Sequence, residues 1–163
     1  MSAVPGVSTI AVWERDCWLV RAVHRLRPVV GESGLLLPKR ITVRAGQTNL
    51  SDTGSGHALG ECWPSTATTD GVPGIVVNAT ITDTRTILHV VVHELIHAAD
   101  DCRDGHGAWF TAWARALGLE GDIPSTYAGP RLQRSLSALA RDLGAYPAPQ
   151  YGYNLSRSGR LIA

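Results

Sequence analysis

The spacing of hydrophobic positions changes near residue 30 and again near residue 83, which divides the chain into three parts. In the first part, between residues 9 and 27, Trp13, Cys17 and Val20 follow one another three or four positions apart, with charged residues between them. This spacing is typical of an amphipathic helix. We expect the helix to end before Pro28, because proline lacks the N–H that a further turn needs.

The second part consists of short hydrophobic runs between clusters of glycine, proline and serine. The runs are ITV at 41–43, HALGECW at 57–63 and GIVVNATI at 74–81, and the last is rich in β-branched residues. Such runs, bounded by turn-forming residues, predict three short strands.

The third part returns to helical spacing. A helix is predicted from about Thr84 to Asp100 with Asp83 or Thr82 as its cap, a second after Gly107 that ends at Gly118 or Gly121, and a third at 130–143 that ends at Gly144. Strands between helices indicate an α+β fold. We predict a small, mostly antiparallel three-stranded sheet packed on the first helix and the helix from Thr84, followed by two further helices.

Length and composition favour one globular domain. The chain has 163 residues, of which 44% are hydrophobic and 18% charged, so it can bury a core. We assign residues 1–145 to this domain and expect 146–163, rich in proline, glycine and serine, to be a loosely ordered tail. The net charge of +1 gives the whole chain no strong field for nucleic acid or an acidic membrane.

Cysteine usage and hydropathy predict a cytoplasmic protein. Cys17, Cys62 and Cys102 are odd in number and form no CxxC pair, which argues against a disulfide framework. The N-terminal residues lack the pattern of a signal peptide, and no run approaches the roughly 18 apolar residues of a membrane-spanning helix. We therefore expect no membrane contact.

One helix carries a motif with chemical meaning. His93 and His97 are four positions apart, so their rings project from one helix face and can share a metal ion. Glu94 follows the first histidine and can reach a metal-bound water without binding the metal, which suits a general base. This HExxH arrangement predicts a catalytic zinc (Zn²⁺) site with Glu94 as the catalytic residue.

Catalytic zinc needs a third protein ligand, and the sequence offers several histidines. His89 is excluded because 89 to 97 spans about 12 Å of helix, whereas zinc–nitrogen bonds are about 2 Å long. We choose His106, which follows a polar, glycine-containing turn that can fold back over the helix. Gly105 and Gly107 give this ligand unusual backbone freedom and space.

A metal-bound histidine usually donates its other ring N–H to a nearby acceptor. The sequence supplies three carboxylates close to the predicted ligands, namely Asp100, Asp101 and Asp104. Which of them takes this part stays open.

The run HELIHAADDCRDGHGAWF, residues 93–110, resembles the SprT-like zinc metallopeptidases, the group that includes the Spartan DNA–protein crosslink proteases. The resemblance is specific over 84–118 and weaker over 10–82. It implies a zincin-like fold, zinc on His93, His97 and His106, water activation by Glu94, and a protein or peptide substrate. It also implies a minimal SprT-like domain, since the cysteine-rich zinc ribbon of many bacterial members has no counterpart here.

Two other interpretations compete with a SprT-like peptidase. In a deformylase-like amide hydrolase, a cysteine upstream of HExxH is the third ligand, and Cys62 invites that comparison. Alternatively, a non-enzymatic protein- or nucleic-acid-binding module could keep zinc only to stabilise its fold. Glu94 argues against this second interpretation, because a structural site has no use for a base.

Substrate and DNA contacts are further hypotheses. An extended peptide substrate could pair with an edge strand, either 57–63 or 74–80. A tyrosine could stabilise the oxyanion, the candidates being Tyr127, Tyr146, Tyr151 and Tyr153. DNA could contact the arginines of the last helix and tail, which are Arg131, Arg134, Arg141, Arg157 and Arg160.

Overall fold

Helices and a small sheet alternate along the chain as the hydrophobic pattern predicts. The structure is a computed structural model that describes residues 9–49, 56–123 and 125–147. Within these ranges the helices are α1 (Thr9–Gly31), α2 (Thr84–Ala99), α3 (Ala108–Leu117) and α4 (Pro130–Leu143). The strands are β1 (Thr42–Gly46), β2 (Gly60–Trp63), β3 (Gly74–Asn78), β4 (Leu119–Glu120) and β5 (Tyr127–Ala128), and a 3₁₀ turn spans Ser65–Ala67. The predicted α+β class is confirmed.

The three-stranded sheet has the order β1-β3-β2 and is mixed. β1 runs parallel to β3, with Thr42 opposite Gly74, whereas β2 is antiparallel to β3, with Trp63 opposite the same glycine. The prediction of a mostly antiparallel sheet is therefore wrong for β1. β2 lies at the far edge and runs opposite to β1. The chain then reverses again into the central strand β3, so β3 runs in the same direction as β1.

The burial of each strand follows its place in the sheet. All five residues of β3 are buried, as expected for a central strand with both faces covered. In β1, buried Val43 and Ala45 alternate with exposed Thr42 and Arg44. β2 is less buried and occupies an edge, and this position matters for the site described below.

Helix α2 runs through the middle of the core. Every residue from Val90 to Ala98 is buried, so this helix is covered on all sides rather than along one stripe. It packs on β2 and β3 on one side and on α3 and α4 on others. The polar side chains within this stretch, His93, Glu94 and His97, are consequently held inside the protein.

Helix α1 extends beyond the predicted end at Pro28. It continues to Gly31, with proline inside its last turns. Val30 is fully buried there, and the N–H of Glu32 donates to the carbonyl of Pro28 at 3.0 Å. Packing of Val30 offsets the backbone hydrogen bond that proline cannot make.

The start of the predicted tail is packed against the core. Tyr146 is buried and its ring meets Trp18 edge to face, with the centroids 5.3 Å apart. The Trp18 indole N–H donates to the carbonyl of Gly144 at 3.2 Å, and the Tyr146 N–H donates to Thr84 Oγ1 at 3.0 Å. Tyr146 is thus packed against the core, and residues 148–163 of the predicted tail lie outside the described residues.

Asp83 caps the start of α2 through its side chain. The Asp83 carboxylate accepts hydrogen bonds from the N–H and the hydroxyl of Thr86, both at 2.8 Å, and these bonds lower the pKa of Asp83 from its ordinary 3.8. We expect Asp83→Ala to lower the free energy of unfolding at pH 7 by about 1 kcal/mol. Urea denaturation measures this loss.

The pH dependence of this difference has a definite sign. Because the pKa of Asp83 is lower in the folded protein, its contribution is complete above the ordinary value of 3.8 and is lost as the pH falls through the folded value. The gap between wild type and Asp83→Ala should therefore shrink in acid. Asp83→Asn, which keeps a capping oxygen, is the control, and equal stability of Asp83→Ala and wild type at pH 7 would refute the cap.

Candidate metal centre

Three histidine nitrogens converge at one side of α2. The two predicted ligands on the helix, His93 and His97, lie one turn apart, and His106 reaches them from the loop that follows. His106 Nε2 is 3.1 Å from His93 Nε2 and 3.2 Å from His97 Nε2, and the ligand atoms of all three lie within 4.8 Å of one another. Ligands of tetrahedral zinc stand about 3.3 Å apart when zinc–nitrogen bonds are about 2.0–2.1 Å. This group can hold a metal ion.

The two helix histidines are in the protonation state that a metal requires. His93 and His97 are each 9% exposed. Burial, followed by the neighbouring imidazoles of His97 and His106, lowers the pKa of His93 to about 3, and burial and His106 lower the pKa of His97 to about 4. Both rings are therefore neutral at pH 7, with a lone pair for a metal.

The loop after α2 turns the chain back through left-handed backbone conformations. Asp101, Cys102 and Gly105 have φ of 57°, 60° and 57°. For the two residues that are not glycine, this conformation costs on the order of 1 kcal/mol each. The Cys102 N–H donates to the His97 carbonyl at 2.8 Å, and Asp101 accepts from the N–H and hydroxyl of Ser65, both at 2.7 Å. These bonds hold the strained loop in place.

The glycines beside His106 act in two different ways. Gly105 has the positive φ that favours glycine, as expected. Gly107 has an ordinary φ of −77°, so the prediction of unusual backbone freedom is wrong there. A Cβ atom on Gly107 would lie 2.7 Å from both carboxylate oxygens of Asp104, so this glycine is needed for space.

The three aspartates near the ligands hold the backbone of the loop. Asp100 accepts from the N–H of Asp104 at 2.9 Å, and Asp104 accepts from the N–H of Phe110 at 3.0 Å, at the start of α3. Asp104 also favours the protonated form of His97 through its charge. Carboxylates that precede His106 thus fasten the loop to the end of α2 and to the start of α3.

The hydrogen-bond partner of His93 is a residue that the sequence did not suggest. Thr126 is buried, and its Oγ1 lies 2.9 Å from His93 Nδ1. It stands just before β5, in the hairpin that β5 forms with β4. No local motif marks Thr126, because only this hairpin brings it to α2.

Phe110 forms an apolar wall for the three rings. It is fully buried at the start of α3, and its ring stacks on His97 with the centroids 4.3 Å apart and an angle of 24°. Its centroid is 4.7 Å from that of His93 and 5.0 Å from that of His106. Phe110 belongs to the hydrophobic core, and the same packing orients the imidazoles.

Glu94 follows His93 on α2 and is buried under the edge strand β2. It is 5% exposed, and burial, with smaller effects of Cys102 and Glu61, raises the pKa of Glu94 to about 8. A Cβ atom on Gly60 would lie 2.9 Å from Glu94 Oε1 and 2.5 Å from Val90 Cγ1. Glycine at position 60 is therefore what allows β2 to approach the carboxylate.

The competing ligand candidates stand apart from this group. In the part of the chain that the structure describes, the metal-binding group contains neither His89 nor Cys62. His89 lies near the Thr126 backbone, and burial lowers its pKa. His57 Nδ1 is 2.6 Å from the Thr48 carbonyl, and His24 is exposed on α1.

The residues proposed for DNA and oxyanion contacts fall partly within the described ranges. Arg131, Arg134 and Arg141 are exposed on α4. Tyr127 is exposed directly after Thr126, whereas Tyr146 packs on α1. Arg157, Arg160, Tyr151 and Tyr153 lie outside the described residues.

Comparison of the chain with protein-family models, with curated proteins and with solved structures finds no match in any of the three. No helix in 9–49, 56–123 or 125–147 combines the length and apolarity needed to cross a membrane.

The contact between Thr126 and His93 leads to a prediction about metal affinity. Thr126→Val keeps the shape of the side chain but removes the hydroxyl that orients His93. We expect zinc affinity to fall by roughly 10- to 100-fold, the usual cost of losing such a partner. Competition with a chromophoric chelator measures this change. Thr126→Ser should retain near wild-type affinity, and unchanged affinity in Thr126→Val would show that the hydroxyl does not orient the ligand.

Proposed function

We propose that the protein is a zinc-dependent metallopeptidase of the SprT-like type with a zincin-like fold, which hydrolyses peptide bonds in protein substrates. The observation that carries this proposal is the convergence of three histidine nitrogens, two from α2 and one from the loop after it. Glu94, a buried carboxylate, lies on the same helix. His93, His97 and His106 would hold the ion with three protein ligands, the number typical of catalytic zinc sites, whereas structural sites use four. The general base would be Glu94, which follows His93 on α2.

In the proposed reaction, different residues of this chain have different roles. When bound, zinc supplies a Lewis acid that acidifies water and polarises a carbonyl group. A cation held by the histidines would lower the pKa of Glu94 and favour its carboxylate form, which accepts the proton of the attacking water and passes it to the nitrogen of the leaving amine. Thr126 and Phe110 keep the imidazoles in position, and the apolar surroundings of α2 limit the access of bulk water.

The sheet favours β2 as the strand that binds substrate. Both sides of β3 are already hydrogen-bonded, to β1 and to β2, so it cannot accept a peptide. Within the described ranges β2 is an edge strand, and it packs on Glu94 at Gly60. An extended substrate paired with β2 would make main-chain hydrogen bonds close to the metal site and would tolerate many sequences.

Metal-dependent proteolysis tests the proposal. Purified protein with one bound zinc is incubated with a basic DNA-binding protein, with and without single-stranded DNA, and self-cleavage is followed in the same samples. We expect fragments from the zinc-loaded protein, their loss after chelation and their return after zinc is added back. Bound zinc without cleavage of any substrate would favour the structural zinc module, and absence of zinc binding would refute the site itself.

DNA binding is a separate part of the proposal and has its own outcome. The exposed arginines of α4 offer phosphate contacts, although the net charge of +1 gives the whole chain little attraction. If they bind DNA, affinity for single strands should fall as salt is raised. Proteolysis that is independent of DNA, with no salt-dependent binding, would restrict the function to a general peptidase.

A further inference from the structure

The three-stranded sheet has an outer face that points away from α2. Gly60 of β2 packs on α2, so Trp63, an odd number of residues further along the strand, points to the opposite side of the sheet. Thr42 and Trp63 are both paired with Gly74 of β3, and the exposed residues Thr42 and Arg44 of β1 therefore lie on the same outer face as Trp63. This face is separated from the candidate metal centre by the sheet itself.

An open pocket of about 480 Å³ lies on the outer face. It is bordered by the segment 67–70, which follows β2, and by side chains of all three strands, among them Thr42, Arg44 and Trp63. Gly74 is also part of its lining, and a Cβ atom there would lie 3.2 Å from Thr42 Oγ1 and 3.5 Å from Thr68 Cγ2. The missing side chain thus leaves room at the floor of the pocket, and the volume is typical of sites for small molecules.

Two side chains of this pocket are available to a ligand. Trp63 is 42% exposed, so a large part of its indole is open to solvent. Arg44 is exposed and has no hydrogen bond or ion pair with any residue that the structure describes. A Cβ atom on Gly46 would lie 3.1 Å from both Arg44 Nη1 and Val76 Cγ1, which places the guanidinium on the outer face beside Val76.

The carboxylates on the same face already have partners. Asp70 pairs with Arg40 at 3.8 Å and accepts from the Val72 N–H at 3.3 Å, and Glu61 accepts a hydrogen bond from the Asn49 N–H. Among the described residues that line the pocket, the free arginine is therefore the cation that can pair with an anion. The nearby carboxylates disfavour a ligand that carries a long row of negative charges.

The floor of the pocket is formed by a strand whose main chain is already paired. β3 is hydrogen-bonded to β1 on one side and to β2 on the other. A peptide recognised through its main chain needs a free strand edge and finds none on this face. A flat ring that stacks on an indole and an anionic group that pairs with a guanidinium need only side chains.

We propose that this pocket binds a single nucleotide, with its base stacked on Trp63 and its phosphate paired with Arg44. In a regular sheet, two residues that are two strands and one side-chain pair apart have Cα atoms about 12 Å from each other, so one ligand can contact both side chains. Arginine binds phosphate through two parallel N–H groups, and stacking on an aromatic side chain tolerates any base. The proposal does not depend on the proposed peptidase activity.

Isothermal titration calorimetry of the full chain with adenosine monophosphate tests the proposal. We expect one nucleotide to bind per chain. Adenosine lacks the phosphate and ribose 5-phosphate lacks the base, so each should bind about 10-fold more weakly than the nucleotide or worse.

Variants assign each half of the ligand to its residue. Trp63→Ala should lose about 10-fold in affinity for the nucleotide and should no longer prefer it to ribose 5-phosphate. Arg44→Gln should lose a similar factor and should no longer prefer the nucleotide to adenosine. Trp13→Ala on α1 and Arg134→Gln on α4 replace exposed residues far from the pocket and should bind like wild type.

Both pocket side chains are exposed, so the two variants should fold, and far-UV circular dichroism checks this. Absence of binding at millimolar nucleotide would overturn the proposal, as would equal affinity of wild type, Trp63→Ala and Arg44→Gln. Binding of a single-stranded oligonucleotide without binding of the mononucleotide would also overturn it, because the protein would then recognise a strand. Zinc content and proteolysis are not measured here, so failure of this proposal is distinct from failure of the proposed function.

Discussion

Replacement of Glu94 by glutamine is expected to abolish peptide cleavage while zinc stays bound. Glutamine has nearly the same shape as glutamate but cannot accept the proton of the attacking water. General-base catalysis contributes about 10²- to 10⁴-fold, so kcat should fall by that factor in Glu94→Gln. The neutral amide also suits a buried position where burial already disfavours the carboxylate, so the fold should tolerate it.

The measurement compares kcat and bound zinc for wild type and Glu94→Gln. Glu61→Gln is the matched control, because Glu61 is a nearby carboxylate on β2 whose charge acts on Glu94 but which bonds to the backbone of Asn49. It should keep most of the activity. Glu94→Gln with wild-type kcat and full zinc would remove Glu94 from the mechanism.

Loss of His106 should have the largest effect on metal binding. His106→Ala removes the nitrogen that lies 3.1 and 3.2 Å from those of His93 and His97. Loss of a group that merely orients a ligand costs roughly 10- to 100-fold in affinity, so loss of a ligand should cost more than about 100-fold. Zinc content after dialysis against a weak chelator reports the difference.

Two control variants show whether the loss of zinc is specific to His106. His89→Ala removes another partly buried histidine of α2, and Cys62→Ser removes the thiol that a deformylase-like site would use. Both should retain zinc, since neither residue belongs to the metal-binding group of the described chain. The opposite result, zinc kept by His106→Ala and lost by Cys62→Ser, would replace the proposed ligand set.

Local sequence patterns were sufficient to predict most of the helices and strands but not the arrangement of the strands in the sheet. Hydrophobic spacing predicts the helices from residues within each helix. The start of α2 at Asp83 and the end of α4 at Gly144 are likewise marked by the capping residue itself. The continuation of α1 past Pro28 depends on the burial of Val30 by distant residues. The parallel pairing of β1 with β3 likewise depends on where β2 is placed.

In the candidate site too, some features follow from local sequence and others depend on tertiary packing. The i, i+4 spacing of His93 and His97 and the turn before His106 predict a metal-binding group, because helix geometry and a short loop suffice to bring these rings together. The contact of Thr126 with His93 and the close approach of Gly60 to Glu94 arise from tertiary packing across many intervening residues. No spacing rule marks such contacts in advance.

The packing of the last described residues on α1 has a consequence for synthesis on the ribosome. Trp18 emerges early, but its hydrogen-bond acceptor Gly144 and its ring partner Tyr146 are translated only after nearly the whole core. A nascent chain shorter than this therefore presents an uncovered indole and an α1 that lacks one of its neighbours. We expect such chains to be held by chaperones, and closure around α2 to wait until residue 146 has left the exit tunnel.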